Sequence, residues 1–380
     1  RIGALNVQSE RIDAKGVPTQ NYSMVALQRK VFARSNFGAY MVNKQSFIDT
    51  DLQRSNGFQP FNRDVGVEYN LASADNFWTG SVFYANTISP LQKDQSFAQA
   101  ASLAYKDNNW TFSAKESWVG ENYNPETGYV PRVNYVQTQF DAAKNFYPKN
   151  KSTNVFYTTL SAMTMSYWNN QGTFTDNTSY VAYEGTMKDR STFGSYLSYD
   201  YVKLLYDFDA TRMGNTALKK GTEHSWYALN ARYGSSPIKL FTYTLSSRFG
   251  GYYGQGWRTG ITADIGYRFQ PYGSFSVALD YNDIVDVAIP GTDVAAAKKV
   301  SSNFWIIRPK IDITFSNKLF FATFFQLNQQ TKNVNLNARL QWRYKPASDL
   351  FLVYTDNYFP EIFQIRNRAV VLKLNYWLNL

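Results

Sequence analysis

Four side chains with oxygen atoms lie close together in the segment DYNDIVD, and these are the first residues that could do chemistry. Asp280, Asp283 and Asp286, together with Asn282, stand where the pattern predicts a strand end running into a long loop. Carboxylate and amide oxygens are the ligands that calcium prefers. The spacing is not that of a regular calcium-binding loop, so calcium is a weak prediction beside a solvated acidic rim.

Other residue types that support catalysis or cofactor binding are sparse. The chain has no cysteine, which excludes disulfides and thiolate chemistry, and a single histidine, His224. A lone histidine where a strand leaves a loop is more often solvated than catalytic, because it needs a partner and the sequence shows none. No phosphate-binding loop, dinucleotide fingerprint or zinc spacing is present. The sequence therefore predicts a protein without enzymatic activity and no cofactor beyond the weak calcium site.

Alternation of polar and apolar residues recurs along the whole chain. In the stretch RLQWRY, polar Arg339, Gln341 and Arg343 alternate with apolar residues that include Trp342 and Tyr344. Successive side chains of a β-strand point to opposite faces, so this pattern predicts strands with one polar and one apolar face. No apolar run of about 18 residues, as a transmembrane helix requires, is present. The chain is predicted to be all-β.

Short polar turns alternate with longer connections between these strands. Turns are predicted near 106–109 and 188–191, and longer connections over 120–134, 206–222 and 286–302. Counting strands between them gives about twenty, or up to about 22 if N-terminal strands are missing. An antiparallel up-and-down transmembrane barrel of the outer membrane has this pattern. Residues 1–380 are expected to form one such domain, with an N-terminal part absent because no leader precedes the first strand.

A barrel assigns the two faces of its strands to a polar lumen and to lipid. Aromatic residues make up 17% of the chain, an excess that suits the girdles at the two membrane interfaces better than a tightly packed soluble sandwich. The side chains predicted to face lipid or the girdles are Trp305, Trp342, Tyr344 and Tyr376. Those predicted to face the lumen are Glu68, Asp264, Arg268, Arg308, Lys310, Asp312, Arg339, Gln341, Arg343 and Lys373.

The formal charge of +10 permits two kinds of partner, nucleic acid or anionic solutes. Nucleic-acid binding needs cations and aromatic rings on one surface, whereas here the arginines lie opposite the aromatic residues. Nucleic acid is therefore not expected. A basic lumen would favour anionic or polyhydroxylated solutes.

The loop ENYNPETGYVPR is the most distinctive segment outside the strands. Two prolines and a turn glycine within residues 121–132 indicate an ordered loop. A rigid external loop is the favoured interpretation, and a loop folded inward or making a rim contact is the alternative.

Three blocks, at 21–44, 122–132 and 341–356, resemble recurring segments of a barrel family of unknown function found largely in Bacteroidota. In that family the barrel commonly follows a periplasmic module similar to family-9 carbohydrate-binding domains. The resemblance implies an outer-membrane barrel with a link to glycan binding or uptake. It places no functional residue in this chain, because the sugar-binding residues would belong to the upstream module.

The sequence thus predicts a porin- or receptor-like protein of the bacterial outer membrane, with long loops outside and both termini periplasmic. The expected partners are membrane lipid and lipopolysaccharide, with a glycan and protein partners as further candidates. The alternative from another class is a non-catalytic structural or accessory subunit of an outer-membrane secretion or insertion complex.

Overall fold

A computed structural model of the chain describes residues 1–91, 93–150, 152–289, 298–359 and 364–378. These residues form twenty antiparallel β-strands, one short α-helix, Asp51–Ser55, and two 3-10 turns, Asp13–Lys15 and Tyr253–Gln255. Among the described residues, none of the helices has the length and apolar character needed to cross a membrane.

The strands contain between 8 and 17 residues each. In chain order they are β1 (Ile2–Ser9), β2 (Thr19–Val31), β3 (Ser35–Phe47), β4 (Phe61–Ala72), β5 (Trp78–Ile88), β6 (Phe97–Lys106), β7 (Trp110–Val119), β8 (Tyr135–Phe146), β9 (Val155–Trp168), β10 (Phe174–Met187), β11 (Thr192–Lys203), β12 (Glu223–Gly234), β13 (Phe241–Gly251), β14 (Trp257–Phe269), β15 (Gly273–Ile289), β16 (Lys298–Thr314), β17 (Leu319–Asn328), β18 (Asn333–Lys345), β19 (Ser348–Tyr358) and β20 (Ile365–Leu374).

The chain divides into two compact units. The first comprises Arg1–Asn145 and Ser161–Ser179, and the second Phe146–Leu160 and Tyr180–Leu380. In the first unit each strand from β1 to β7 pairs with the next one along the chain. In the second unit the same holds from β11 to β19. Short turns at the predicted positions make these pairings possible, since neighbouring antiparallel strands need only a few connecting residues.

The register keeps side chains of like polarity opposite one another. Thr262 on β14 lies opposite Asp280 on β15, and Ile265 lies opposite Val277. Because the side-chain period of a strand is two, a slip of one residue would put every apolar side chain on the polar face. The alternation in the sequence therefore specifies this pairing.

Buried apolar clusters lie where connections fold onto the sheet. In the first unit Tyr123, from the connection between β7 and β8, packs with Ala85, Ala98 and Val119. In the second unit the connection between β11 and β12 packs on β15 and β16. In both units the described connections, rather than a second sheet, bury the apolar residues.

The segment DYNDIVD lies within β15, so the prediction of a strand end there is wrong. The register shifts between Ile284 and Val287, and Asp286 adopts a left-handed φ of 58°. Such a β-bulge absorbs an extra residue and lets the strand continue. The connection predicted over 286–302 is correspondingly shorter, because β15 ends at Ile289 and β16 begins at Lys298.

The favoured interpretation of residues 121–132 was a rigid external loop. In the structure the first half of this loop is bonded to the sheet. Asn62 on β4 donates to the carbonyl of Asn124 at 3.0 Å and accepts from the amide of Glu126 at 3.1 Å. Glu126 also forms an ion pair with Lys44 on β3. Tyr123 is 8% exposed, whereas Tyr129 at the tip is 89% exposed. The first half of the loop therefore makes contacts with β3 and β4, as the alternative of a loop folded inward or making a rim contact predicted.

Candidate functional site

One face of β11 to β18 carries most of the polar side chains of those strands, and we call it the polar face. Across it Asn230 lies opposite Arg248, and Thr262 lies opposite Asp280. The register continues this face onto β19 and β20. Nine of the ten residues predicted to face the lumen lie on it, namely Asp264, Arg268, Arg308, Lys310, Asp312, Arg339, Gln341, Arg343 and, on β20, Lys373. The tenth, Glu68, belongs to the first unit, where it lies opposite Gly38.

A cavity of about 710 Å³ opens on the polar face between β11 and β16. Four arginines line it: Arg212, Arg232, Arg248 and Arg258. Among the described residues, no carboxylate forms an ion pair with any of these four, although other cations of the second unit are paired. Glu184 and Asp280 also line the cavity, but the four guanidinium groups outnumber these two carboxylates, which gives the cavity a positive potential.

Two of these arginines flank an aromatic ring. The guanidinium carbons of Arg248 and Arg258 lie 5.7 and 5.4 Å from the centre of the Tyr252 ring. Arg248 donates to the carbonyls of Gly251 and Arg258 at 2.7 and 3.1 Å, and Arg258 donates to Oδ1 of Asn282 at 2.7 Å. These bonds fix both side chains while leaving N–H donors for a ligand, because a guanidinium has five.

The three aspartates of the predicted calcium site are not brought together. Asp280 lines the cavity, where it accepts from Arg308 and, at 2.9 Å, from Thr262. Asp283 lies on the opposite face of the strand, and Asp286 sits beside Lys299 at 3.6 Å. Within the described part of the chain no group of three or more acidic, histidine or cysteine side chains is placed to hold a metal. The geometry therefore gives the calcium prediction no support.

A second cavity of about 580 Å³ lies on the polar face nearer the short turns. It brings together four of the predicted residues, Asp264, Arg268, Arg308 and Lys310. Arg268 donates to the carbonyls of Pro237 and Lys239 at 2.6 Å each, so it fastens the turn between β12 and β13. Lys310 pairs with Asp312 at 2.8 Å. Arg308 and Lys310 thus have carboxylate partners, unlike the four arginines of the first cavity.

The residues RLQWRY lie on β18 with their predicted alternation. Gln341 and Arg343 both donate to Oδ1 of Asp349, at 3.0 and 3.2 Å. Trp342, on the opposite face, is 50% exposed and lies 6.0 Å from the ring of Tyr344. The other predicted aromatic residues make similar contacts, Trp305 with Tyr281 and Tyr376 with Lys345.

The connection between β11 and β12, residues 204–222, covers one side of the arginine-lined cavity, and we call it the inner loop. Leu218 is fully buried and Ala210 is 2% exposed, against a cluster that includes Ile284 and Phe304 of the wall. The Tyr252 hydroxyl donates to the carbonyl of Ala210 at 3.2 Å. The inner loop is thus attached to the sheet by apolar packing and by hydrogen bonds.

Asp209 organises the inner loop from within. Its carboxylate accepts backbone N–H groups of Thr211, Gly214 and Asn215, each at 2.9 Å. Burial acts to raise the pKa of Asp209, but the hydrogen bonds from Thr211, Asn215 and Gly214 outweigh it and lower the pKa below its ordinary value. The carboxylate is therefore charged at neutral pH, which strengthens these bonds.

His224 is half-buried rather than solvated as expected. Its Nε2 lies 2.9 Å from the Thr222 hydroxyl, and its Nδ1 accepts the backbone N–H of Gly254 at 3.2 Å. His224, on β12, is therefore bonded to the end of the inner loop through Thr222 and to the connection between β13 and β14 through Gly254. Both contacts are structural.

The sequence interpretation missed the four arginines of the cavity. Arg232, Arg248 and Arg258 follow the alternation that identified Arg268, so the signal was present. Arg258 lies on β14 together with Arg268, whereas Arg232 and Arg248 lie on strands that were not singled out. Arg212 lies in a loop without periodicity, and no pattern could place it at the cavity.

The fold of the chain is shared with solved outer-membrane barrel receptors. The siderophore receptor PirA from Pseudomonas aeruginosa is 10% identical, with a TM-score of 0.57, over 98% of this chain and 73% of that one. A mutant of the ferric enterobactin receptor PfeA from Pseudomonas aeruginosa gives 10% and 0.51, and PirA from Acinetobacter baumannii 9% and 0.50, each over 94% of this chain and 68% of theirs.

Identities this low establish the fold alone. The prediction of an all-β, antiparallel outer-membrane barrel with about twenty strands is confirmed. No curated protein matches the chain in sequence. A family model described as "Domain of unknown function (DUF5916)" matches residues 6–288, which is most of the chain. The chain therefore belongs to the DUF5916 family of domains of unknown function.

Proposed function

We propose that the chain is a porin- or receptor-like β-barrel of the outer membrane that takes anionic solutes on its polar face. The observation that carries this proposal is the cavity lined by Arg212, Arg232, Arg248 and Arg258 without a carboxylate partner among the described residues. Unpaired charges are costly in a partly buried site, so an anionic solute would supply the missing countercharge. The solved structures with the same fold are siderophore receptors, which favours a receptor-like role.

In this proposal the polar face lines the lumen and the opposite face contacts membrane lipid and lipopolysaccharide. The opposite face exposes large apolar side chains, for example Leu340 at 37% and Leu245 at 47%. Lipid is the solvent in which such exposure is favourable. The longer connections would lie outside the cell and the termini in the periplasm.

Ion selectivity tests the proposal directly. The purified protein is inserted into planar bilayers, and the reversal potential is measured across a potassium chloride gradient. We expect anion preference, reduced by Arg232→Glu because that change replaces an exposed cavity cation with an anion. Arg54→Glu, on the short helix of the first unit, makes the same charge change at a residue that does not line the cavity and should leave selectivity unaltered. Absence of both conductance and solute uptake would overturn the proposal.

A glycan ligand is the finer form of this proposal, and it rests on the resemblance to the Bacteroidota family with its upstream carbohydrate-binding module. Asn230 and Tyr196 also line the cavity and offer hydrogen-bonding groups to sugar hydroxyls. Uptake of neutral and acidic oligosaccharides into proteoliposomes would separate the cases. The arginines favour the acidic sugars.

The alternative is a non-catalytic structural or accessory subunit of an outer-membrane secretion or insertion complex, and no feature of the described residues favours it. Purification from native membranes in mild detergent distinguishes the two roles, because a stoichiometric protein partner supports the complex. Catalysis is not part of the proposal, since His224 has structural partners at both ring nitrogens.

A further inference from the structure

We propose that the inner loop and the polar face together form a binding site for a compact polyanion, a solute with two or more carboxylate or phosphate groups. The inner loop contributes Arg212, and the wall contributes Arg232, Arg248 and Arg258. The inference rests on the proposed function, which requires only that anionic solutes be favoured. It goes further by naming the ligand class and by assigning a specificity-determining role to one loop residue.

Four arginines outnumber the two carboxylates that line this cavity, Glu184 and Asp280. Arg248 and Arg258 are oriented by their bonds to backbone carbonyls and to Asn282, so little side-chain freedom remains to be lost on binding. Arg232 is exposed in the cavity. The carboxylate of Asp280 is engaged by Arg308. A ligand that enters the cavity therefore meets several guanidinium groups, whose paired N–H donors match the oxygens of carboxylate and phosphate.

On the loop side, Arg212 is held in a conformation that arginine does not favour. Its φ is 55°, in the left-handed region where glycine is the usual residue. Both neighbours are anchored: the Thr211 carbonyl accepts from Gln330, in the connection between β17 and β18, at 3.1 Å, and the Met213 sulfur accepts from the Ser302 hydroxyl of β16 at 2.8 Å. These contacts hold Arg212 in its left-handed conformation at the edge of the cavity.

The size and charge of the cavity select among anions. Its volume of about 710 Å³ is within the range of small-molecule sites. Four arginines and two carboxylates line it, and one of these carboxylates, that of Asp280, is already paired with Arg308. A ligand with a single carboxylate would leave part of the positive charge uncompensated, and a neutral sugar would leave all of it. A compact ligand with several anionic groups fits both the volume and the charge.

Arg190 provides a matched control for Arg212. It is also an exposed arginine with a left-handed φ, 67°, but it lies in the short turn between β10 and β11 and does not line the cavity. Arg212→Gly and Arg190→Gly therefore remove the same charge and relieve the same backbone conformation. Only the first removes a cation from the cavity.

The experiment is calorimetric titration of the purified protein in detergent with citrate and with pyrophosphate, using acetate and maltotriose as comparators. We expect citrate or pyrophosphate to bind and the comparators not to bind. Arg212→Gly should weaken binding by about 10-fold or more, the effect of losing charge-assisted hydrogen bonds. Arg190→Gly should change it less than about twofold. Both variants should melt at or above the wild-type temperature, because glycine suits a left-handed φ.

The outcomes separate this inference from the proposed function. If neither polyanion binds while conductance stays anion-selective, the inference fails and the function stands. Equal weakening by both glycine variants, or none by Arg212→Gly, also overturns the inference. If binding, selective conductance and uptake are all absent, the proposed function fails as well.

Discussion

At the scale of single residues, the charge of the candidate site depends on which cations have an internal partner. Arg308 has Asp280, and Arg343 has Asp349. Such pairs add little net potential, and partly exposed ones contribute only modestly to stability. Arg248 and Arg258 instead use neutral acceptors, so their charge remains available to a ligand.

This difference predicts the effect of Asp280→Asn. The substitution removes the partner of Arg308 and raises the charge at the cavity by one, while asparagine keeps an oxygen for Thr262. We expect the reversal potential in planar bilayers to move further toward anion preference. Asp51→Asn, on the short helix of the first unit, is the control and should have no effect. A shift toward cations would contradict the assignment of this cavity to the solute path.

At the scale of elements, the inner loop is the part of the site that depends on tertiary packing. Leu204, Ala210 and Leu218 are buried against β15 and β16, where Ile284 and Phe304 are apolar residues of the polar face. An apolar side chain on the polar face is stable only when something covers it. The inner loop supplies that cover.

Leu218→Ala should release the inner loop from the wall. Removing a fully buried leucine side chain costs about 2–5 kcal/mol of stability. Here we expect the loss to lower the free energy of local unfolding of residues 204–222. Hydrogen exchange measured by mass spectrometry should show faster exchange in this segment alone. Leu205→Ala is the matched control, because Leu205 is in the same loop but 45% exposed. Equal exchange in the two variants would contradict the packing described for the inner loop.

The inner loop should also loosen in acid because of Asp209. Its pKa is lowered in the folded protein, so its contribution to stability is present at pH values above the ordinary aspartate pKa of about 4 and is lost as the pH falls through the lowered value. Asp209→Asn should therefore reduce hydrogen-exchange protection of residues 211–215 at pH 7. The difference from wild type should shrink as the pH approaches 3. A difference that does not depend on pH would mean that charge is unimportant at this position.

The strands could be predicted from the sequence because polar residues such as Arg339, Gln341 and Arg343 recur at every second position. The inner loop could not, because the positions of Leu218 and Arg212 depend on contacts with strands far along the chain. Ile284 and Phe304 were the available signal, since both interrupt the polar alternation of their strands. The contacts of the loop at 121–132 could not be predicted for the same reason, because Asn62 and Lys44 lie far from it in the sequence.

At the scale of the whole molecule, the fold class follows from the sequence more securely than the function. Alternation, turn spacing and the absence of long apolar runs all favour the same architecture, and the solved receptors share it at about 10% identity. Such a fold tolerates almost any side chain that respects the two faces. The proposed function therefore depends on features that the alternation does not encode, which here are the missing carboxylate partners of the four arginines and the position of the inner loop.

The assignment of the two faces is the prediction on which the others depend, and the absence of cysteine makes it simple to test. Single cysteines are introduced by Gln341→Cys and Leu340→Cys, at neighbouring positions of β18 that point to opposite faces. In proteoliposomes a charged, membrane-impermeant maleimide should label the first and leave the second unreacted, because water fills a polar lumen and lipid covers the apolar face. Both should react after unfolding in denaturant, which controls for thiol reactivity. Labelling of the Leu340→Cys variant in the intact membrane, with protection of Gln341→Cys, would reverse the faces and place the arginine-lined cavity outside any solute path.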